Sequence, residues 1–408
     1  MREQRLQEEW DRTPLLSRKC GQELSPVLQT PPRLHALAKG MMALGLGGVV
    51  AGLIWAPETV RAHWLLLSFF GVSLGLAGTL FIALQFVTGA GWSVALRRVP
   101  EAMAWLLPVA GAALLAGLIA WPEFYPWTAD DYYPHSEWKR LWLQRPFFLA
   151  RAAIYVVLWS ALALPLILHS RRQDDDANFS HTVASRRWSA LFLIVFGITI
   201  WLASYDWLMS RDPDWVSTVY GVYNFAGLFT AGLATQILLV IWLRRLGPFR
   251  NVLTEKHLHD LGKLLFAMST FWAYLWYCQY MLIWYVNNPE ETPYYIQRLQ
   301  GAWQPLFIAN VVLNWVIPFC VLLSSAAKRH PKVLVNVSLV VLAGRWLDLY
   351  LMILPEENGF ATVVVAVAMT LGALGLYFVV FCHGLAQAAL VPINDPYLMA
   401  PPKRGQDL

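Results

Sequence analysis

Four ionisable side chains stand in stretches of this sequence that are otherwise apolar. Asp206 lies in ITIWLASYDWLM, before the apolar run ends, and Arg151 lies in RPFFLARAAIY. Arg345 and Asp348 lie in GRWLDLYLM, three residues apart and so on one face of a helix. A charge in such a segment costs a few kcal/mol on membrane-insertion scales, so it faces other helices or water and marks a functional-site hypothesis. Two chemistries fit. The four groups could neutralise one another as a buried ion network that locks helices together. Alternatively, the carboxylates could relay protons with help from tyrosine and water. On the proton reading His259, Asp260 and Lys263 form a cytoplasmic entrance and Arg345 with Asp348 a central gate. Asp206, with neighbouring Tyr205 and with Asp212 or Asp214, then forms an outer exit beside Arg151. The plainer reading of Asp260 and Lys263 is a capped, solvated helix start. Gln279, Asn310 and Asn314 are further polar candidates inside apolar runs, a residue type that also serves to join helices.

Other chemistries find no foothold. None of the nine His lies mid-span, so no pair of axial ligands for a haem is written into the chain, nor a buried His to act as a base. The four Cys stand alone with no CxxC, which argues against an iron–sulfur cluster or a zinc site. No Walker or Rossmann glycine pattern occurs in a strand–helix context. The chain is expected to carry no cofactor and no metal of its own.

The elements that position these residues follow from composition. The chain is 57% hydrophobic and 14% charged with 21 Trp, and its mean hydropathy is +0.46. Soluble domains sit near half apolar and a quarter charged. Apolar runs of membrane-crossing length recur, and the periodicity predicts an all-α integral membrane protein with ten spans, roughly 35–56, 64–89, 101–121, 146–169, 187–209, 217–243, 260–287, 304–326, 331–354 and 361–385. Residues 1–34 and 387–408 read as polar tails, the first without a secretory signal. The net charge of +5 forms no basic stripe, so no nucleic acid partner is expected. Most of the 31 Lys and Arg fall in the tails and in the loops after spans 2, 4, 6 and 8, which predicts that both termini are cytoplasmic. The aromatic segment 122–145 reads as an interfacial cap or docking surface.

The chain also repeats itself. RPFFLAR (145–151) matches QPLFIAN (304–310), and YDWLM (205–209) matches LDLYLM (347–352). WPEF (121–124) matches NNPEET (287–292), and Gln85 and Gln236 follow Gly71 and Gly221 at similar distances. The landmarks imply a parallel repeat: a first peripheral helix in 35–63, one four-helix bundle in 64–216, a second in 217–360, and a last peripheral helix in 361–386.

Several of these stretches resemble a known family. HDLGKLLFAMSTFWAYLWYCQYMLIWYVNNPEET (259–292), DWLMSRDPDWVSTVYGVYNFAGLF (206–229), GRWLDLYLMILPE (344–356) and PFFLARAAIY (146–155) are similar to the ActF subunits of alternative complex III, within the NrfD-like or polysulfide-reductase-type membrane proteins. The likeness covers most spans in order and leaves out the tails. It implies two four-helix bundles plus two outer helices, and a subunit of a respiratory quinol:cytochrome c or high-potential acceptor oxidoreductase in the bacterial inner membrane. Expected partners are membrane lipid, the NrfD-like ActC, the iron–sulfur protein ActB and cytochromes c, with haem c and iron–sulfur clusters held by those partners. The resemblance leaves quinone binding to this chain open. The favoured role is anchoring and proton conduction. The alternatives are a quinone-binding subunit, a purely structural anchor, and, from another class, a secondary transporter.

Overall fold

The structure is a computed structural model and describes residues 30–133, 136–176, 178–245, 253–353, 360–392 and 394–395. The chain is an all-α integral membrane protein. In order come α1 (Pro32–Trp55), α2 (Pro57–Thr88), α3 (Arg98–Ala104), α4 (Leu106–Ala120), the short α5 (Glu137–Trp142), α6 (Arg145–Asp176) and α7 (Ser180–Trp207). They are followed by α8 (Tyr220–Arg245), α9 (Glu255–Val286), the short α10 (Pro293–Leu299), α11 (Trp303–Val311), α12 (Ile317–Leu322), α13 (Pro331–Ile353) and α14 (Phe360–Leu385). With α3–α4 and α11–α12 each counted as one span, nine spans among the described residues are long and apolar enough to cross a membrane. The tenth expected from sequence, α9, is 32 residues long but less apolar. Trp272, Tyr274, Trp276, Tyr277, Gln279 and Tyr280 take the place of aliphatic residues in its centre.

A helix satisfies all its internal backbone groups, so it can cross hydrocarbon, and small residues then set how closely two helices approach. α2, α3–α4, α6 and α7 pack around one another, as do α8, α9, α11–α12 and α13. α2 and α8 join the two groups, and every residue of the most apolar stretch of α2 is buried. At this seam Gly232 lies so close to Ala77 that a Cβ on the glycine would stand 2.0 Å from the alanine methyl. α1 and α14, from opposite ends of the chain, lie side by side. They meet at Gly45 and Gly372, where a Cβ on either would come within 2.5 Å of the other's Cα.

Some boundaries differ from the sequence reading. The second span starts at Pro57, not at 64, because Pro is well suited to a helix's first turn and Arg61 reaches Glu58 and, at 3.0 Å, Glu123. Glu58, Arg61 and His63 therefore belong to α2. The eighth span is interrupted by a π turn, Val312–Val316, between α11 and α12. Pro318 has no N–H to offer the carbonyl of Asn314 four residues back, and the widened turn falls there. Residues 122–133 and 136–145 fold back over the first helix group: Phe124 and Trp127 are buried, and the Tyr125 hydroxyl donates to the Trp207 carbonyl at 2.9 Å. The expected N-terminal tail to residue 29, and 396–408 of the C-terminal one, lie outside the described residues. The beginning of the C-terminal stretch is docked, since buried Asp395 pairs with Arg97.

Candidate functional site

The structure sorts the four charges into two separate pairs. Arg151 on α6 grips Asp206, one residue before the end of α7, side-on: Nε donates to Oδ2 at 3.0 Å and Nη2 to Oδ1 at 2.9 Å. Trp142 Nε1 donates to the same carboxylate at 2.8 Å and the Tyr155 hydroxyl at 3.0 Å. The remaining Arg151 Nη1 donates to the Trp142 carbonyl, and the guanidinium lies 4.0 Å from the Trp142 ring centroid. Both Asp206 and Arg151 are buried. A bidentate pair whose donors and acceptors are used this fully is geometrically fixed.

The second pair is built otherwise. Arg345 Nη1 donates to Asp348 Oδ2 at 2.5 Å along α13, and Nη2 donates to Asn224 on α8 at 3.0 Å. Asp348 also accepts from the Tyr223 hydroxyl, from Asn310 at 3.0 Å and from Trp272 at 3.3 Å. Asn314 in turn donates to the Asn310 side chain at 2.7 Å. Gly227 leaves the room that Arg345 occupies, because a Cβ there would sit 2.4 Å from Nη1.

These contacts follow the internal repeat. Aligning RPFFLAR with QPLFIAN sets Arg151 against Asn310, and aligning YDWLM with LDLYLM sets Asp206 against Asp348. In each half the first member donates to the second. The cation has moved: Asn310 is neutral, and the charge comes from Arg345 on Asp348's own helix. The position matching Arg345 in the first half is Ala203.

Asp348 also lines a small cavity of about 20 Å³, room for one water, with Gln279, Tyr295, Arg298, Asn310 and Tyr223. Among the described residues the buried Gln279 Oε1 has no hydrogen-bond partner, so one polar acceptor at this cavity awaits a donor. Arg298 on α10 closes it. Its Nε donates to the Leu351 carbonyl at 2.9 Å and its Nη1 to the Tyr294 carbonyl at 2.6 Å, which caps the end of α13 with a cation.

The other sequence candidates fall as follows. Tyr205 does not reach the Asp206 carboxylate; its hydroxyl donates to the Thr218 carbonyl at 3.1 Å. One residue along a helix is a turn of about 100°, and Tyr155 from α6 takes the place assigned to Tyr205. Asp214 is exposed and sits 3.1 Å from the Tyr132 hydroxyl and 3.6 Å from Lys139 Nζ. Asp212 stands exposed between α7 and α8, where partial desolvation raises its carboxyl above the ordinary carboxylate range, while the field of Arg298 pulls the other way. A carboxyl raised on folding is most favourable to the fold below its unfolded pKa and loses that contribution as pH rises through the folded value. Asp212→Asn is accordingly expected to remove part of the stability loss between about pH 4 and neutrality. Thermal unfolding in detergent across that range reads it; an unchanged pH profile counts against the assignment.

At the opposite end, Lys263 and Asp260 pair at 2.7 Å on a partly exposed turn, and His259 Nε2 lies 3.2 Å from the Ser325 hydroxyl. About 18 Å of α9 separates Asp260 from Trp272 at the Asp348 cluster. Buried Leu261 and Leu265 occupy part of that interval, and Ser269 is its buried polar group.

Sequence reasoning missed Tyr155, Tyr223, Asn224 and Arg298, which are unremarkable until the helices are assembled. It also read Arg97 and Arg98 as loop charges. Both are buried: Arg98 Nη1 contacts Glu101 at 2.6 Å, its Nη2 contacts Asp174, and Arg97 holds Asp395. The spacing of Arg98 and Glu101, three apart at a helix start, was the available signal. His63 was likewise placed outside the spans and is buried within α2. Among the described residues no group of His, Cys, Asp and Glu is arranged to hold a metal. No protein-family model matches this chain, and no curated protein matches its sequence.

Proposed function

We propose that this chain is the membrane subunit of a respiratory quinol:cytochrome c or high-potential acceptor oxidoreductase of the alternative complex III kind, set in a bacterial cytoplasmic membrane with both termini inside. In this reading it anchors the assembly and carries protons past Asp348. The observation that carries the proposal is the Asp348 cluster. A buried carboxylate held by one Arg, two neutral side-chain donors and a tyrosine borders a water-sized polar cavity, whereas its counterpart Asp206 is clamped bidentately. A proton-carrying group must change its proton affinity between states, and a cation on a flexible side chain one turn away is a means of changing it. His259, Asp260 and Lys263 provide the inner entrance. The outer exit runs through the cavity and Arg298 to Asp212, and Asp206 with Arg151 braces the first bundle.

Membership of a complex draws support from α9. Tyr274, Tyr277, Trp284 and Tyr285 are exposed along it. Tyr277 lies about 14 Å from the helix end, at a depth where lipid offers a tyrosine hydroxyl no partner, while the Tyr274 hydroxyl bonds Cys278 one turn along. A protein neighbour in the membrane, of the NrfD-like ActC kind, would supply one. Iron–sulfur and haem c centres would sit in partners of the ActB and cytochrome c kinds.

Two measurements test this. Mass spectrometry of material co-purified in mild detergent is expected to find a multihaem cytochrome c and an iron–sulfur protein in fixed ratio; a chain isolated alone or as a homo-oligomer would favour a transporter instead. In the purified assembly reconstituted in vesicles, Asp348→Asn is expected to lower proton movement roughly tenfold or more while quinol oxidation continues. Proton movement equal to wild type would remove Asp348 from the path.

A further inference from the structure

Two buried polar atoms on neighbouring rings have complementary needs. His63 on α2 is 1% exposed, and its Nδ1 lies 2.9 Å from the Thr59 carbonyl oxygen. A carbonyl only accepts, so Nδ1 carries the hydrogen and Nε2 of the neutral ring is a bare lone pair; among the described residues Nε2 has no donor. Trp346 and Tyr350 on α13 are ring neighbours, with centroids 5.9 and 5.8 Å from that of His63, and the buried Trp346 Nε1–H has no acceptor among the described residues. Buried polar groups without partners are uncommon, and an acceptor beside a donor is a specific combination. A single hydroxyl answers both: its hydrogen goes to His63 Nε2 and its oxygen accepts from Trp346 Nε1.

The surroundings say what the hydroxyl is attached to. Both rings line a cavity of about 300 Å³ with Tyr350 and Thr370. Trp346 and Thr370 also line a second cavity of about 570 Å³, where α2, α8, α13 and α14 leave a crevice walled by such residues as Leu239, Leu342 and Phe378. Volumes of this size with apolar walls and a few convergent polar groups are typical of small-molecule sites. Val363 and Val367, in the wall of the first cavity, are more than half exposed on the helix flank that faces lipid, so the site opens sideways into the membrane.

We propose that this site binds a membrane amphiphile whose head bears a hydroxyl and whose long apolar tail lies in the crevice. The head is seated between His63 and Trp346 by a rotation of the indole, since both atoms are covered in the structure. Water could make the same two hydrogen bonds, but the apolar crevice leading away from them selects for a tail. The hydroxyl could come from the ring of a hydroquinone or from an aliphatic lipid head. The site is independent of the proton route through Asp348, so either proposal can fail without the other.

The test is photolabelling of the full chain in its own membranes with a diazirine-bearing hexadecan-1-ol. Labelling is expected to saturate, to map to α13 or α14, and to exceed that by the corresponding diazirine hexadecane. Trp346→Phe keeps a ring and removes the donor; His63→Leu removes the acceptor. Each is expected to weaken half-saturation roughly fivefold, the loss of one hydrogen bond to a neutral group. Leu239→Trp fills the crevice while leaving both polar atoms in place, and is expected to reduce labelling as well, so the idea does not depend on the folding of the other two. Competition by decyl hydroquinone but not by diacylglycerol assigns the ring hydroxyl, and the reverse assigns the lipid. Equal labelling by alcohol and alkane, unchanged half-saturation in Trp346→Phe and His63→Leu, or competition by neither compound would overturn the proposal.

Discussion

Arg151→Met is expected to destabilise the folded chain by about 3–5 kcal/mol, the range seen when one member of a buried ion pair is removed. The substitution keeps much of the side-chain length, so packing is largely retained and the effect isolates charge. Asp206 would keep Trp142 and Tyr155 as donors but lose the two hydrogen bonds from the guanidinium. It would then be a carboxylate about 1% exposed with no cation, and would either remain charged at high cost or take up a proton. Arg151 Nη1 also ties the Trp142 carbonyl, so the segment that caps the first bundle would loosen together with the pair. The companion variant Arg151→Met with Asp206→Asn removes both charges and keeps an acceptor for Trp142 and Tyr155. It is expected to recover most of the loss, because a buried pair is worth far less than the penalty of orphaning one member. Thermal unfolding in detergent reads all three forms. A single variant within about 1 kcal/mol of wild type, below the penalty for a buried unpaired charge, would show that Asp206 and Arg151 do not depend on each other.

The second large effect is at the seam between the halves. Gly232→Ala places a methyl 2.0 Å from that of Ala77, closer than two carbon atoms can stand. Relief requires α2 and α8 to move apart, and these are the helices that hold the two groups together. Overpacking of a tight contact costs about 1–3 kcal/mol and occasionally more, and here both partners are helices whose neighbours are already in contact. The reciprocal variant, Gly232→Ala with Ala77→Gly, returns the methyl to the other side of the seam and is expected to restore most of the stability. If Gly232→Ala alone behaves like wild type in unfolding and in detergent gel filtration, the two helices are not as close as described.

Which parts of this arrangement were legible in the sequence depends on the distance over which each interaction acts. The helical membrane class was legible, because apolar runs of crossing length report directly on the solvent they meet. So were Asp206, Asp348, Arg151 and Arg345, as charges where charge is costly. Arg345 with Asp348 could be paired on spacing alone, since both lie on one helix. Arg151 with Asp206 could not, because their contact crosses from α6 to α7 and only the repeat hints at it. Tyr205 was misassigned through chain adjacency, which on a helix points neighbours in different directions. Arg97 and Arg98 looked solvated because the groups that bury them, Asp174 and Asp395, lie far along the chain. His63 was hidden by a boundary drawn at the first uninterrupted apolar residue, when the helix had already begun at Pro57, about two turns earlier. The cavity beside Asp348 has no sequence signature, as it arises where α9, α10, α11 and α13 fail to fill space.

The contact between Gly45 and Gly372 bears on the order in which the molecule is made. Its two sides are roughly 300 residues apart, and at about 5–20 residues per second of synthesis the first helix waits some 15–60 seconds for the last. During that interval α1 sits in the bilayer with its close-packing partner still unmade, and its glycine face, which favours helix association, is open to any other helix that presents small residues. The ring of helices between them can close before α14 arrives, so α1 and α14 zip together on the outside of a finished body. A ribosome that stops before residue 360 would leave a chain whose bundles are complete but whose first helix, touching α2 near its end, lacks the partner for its glycine face.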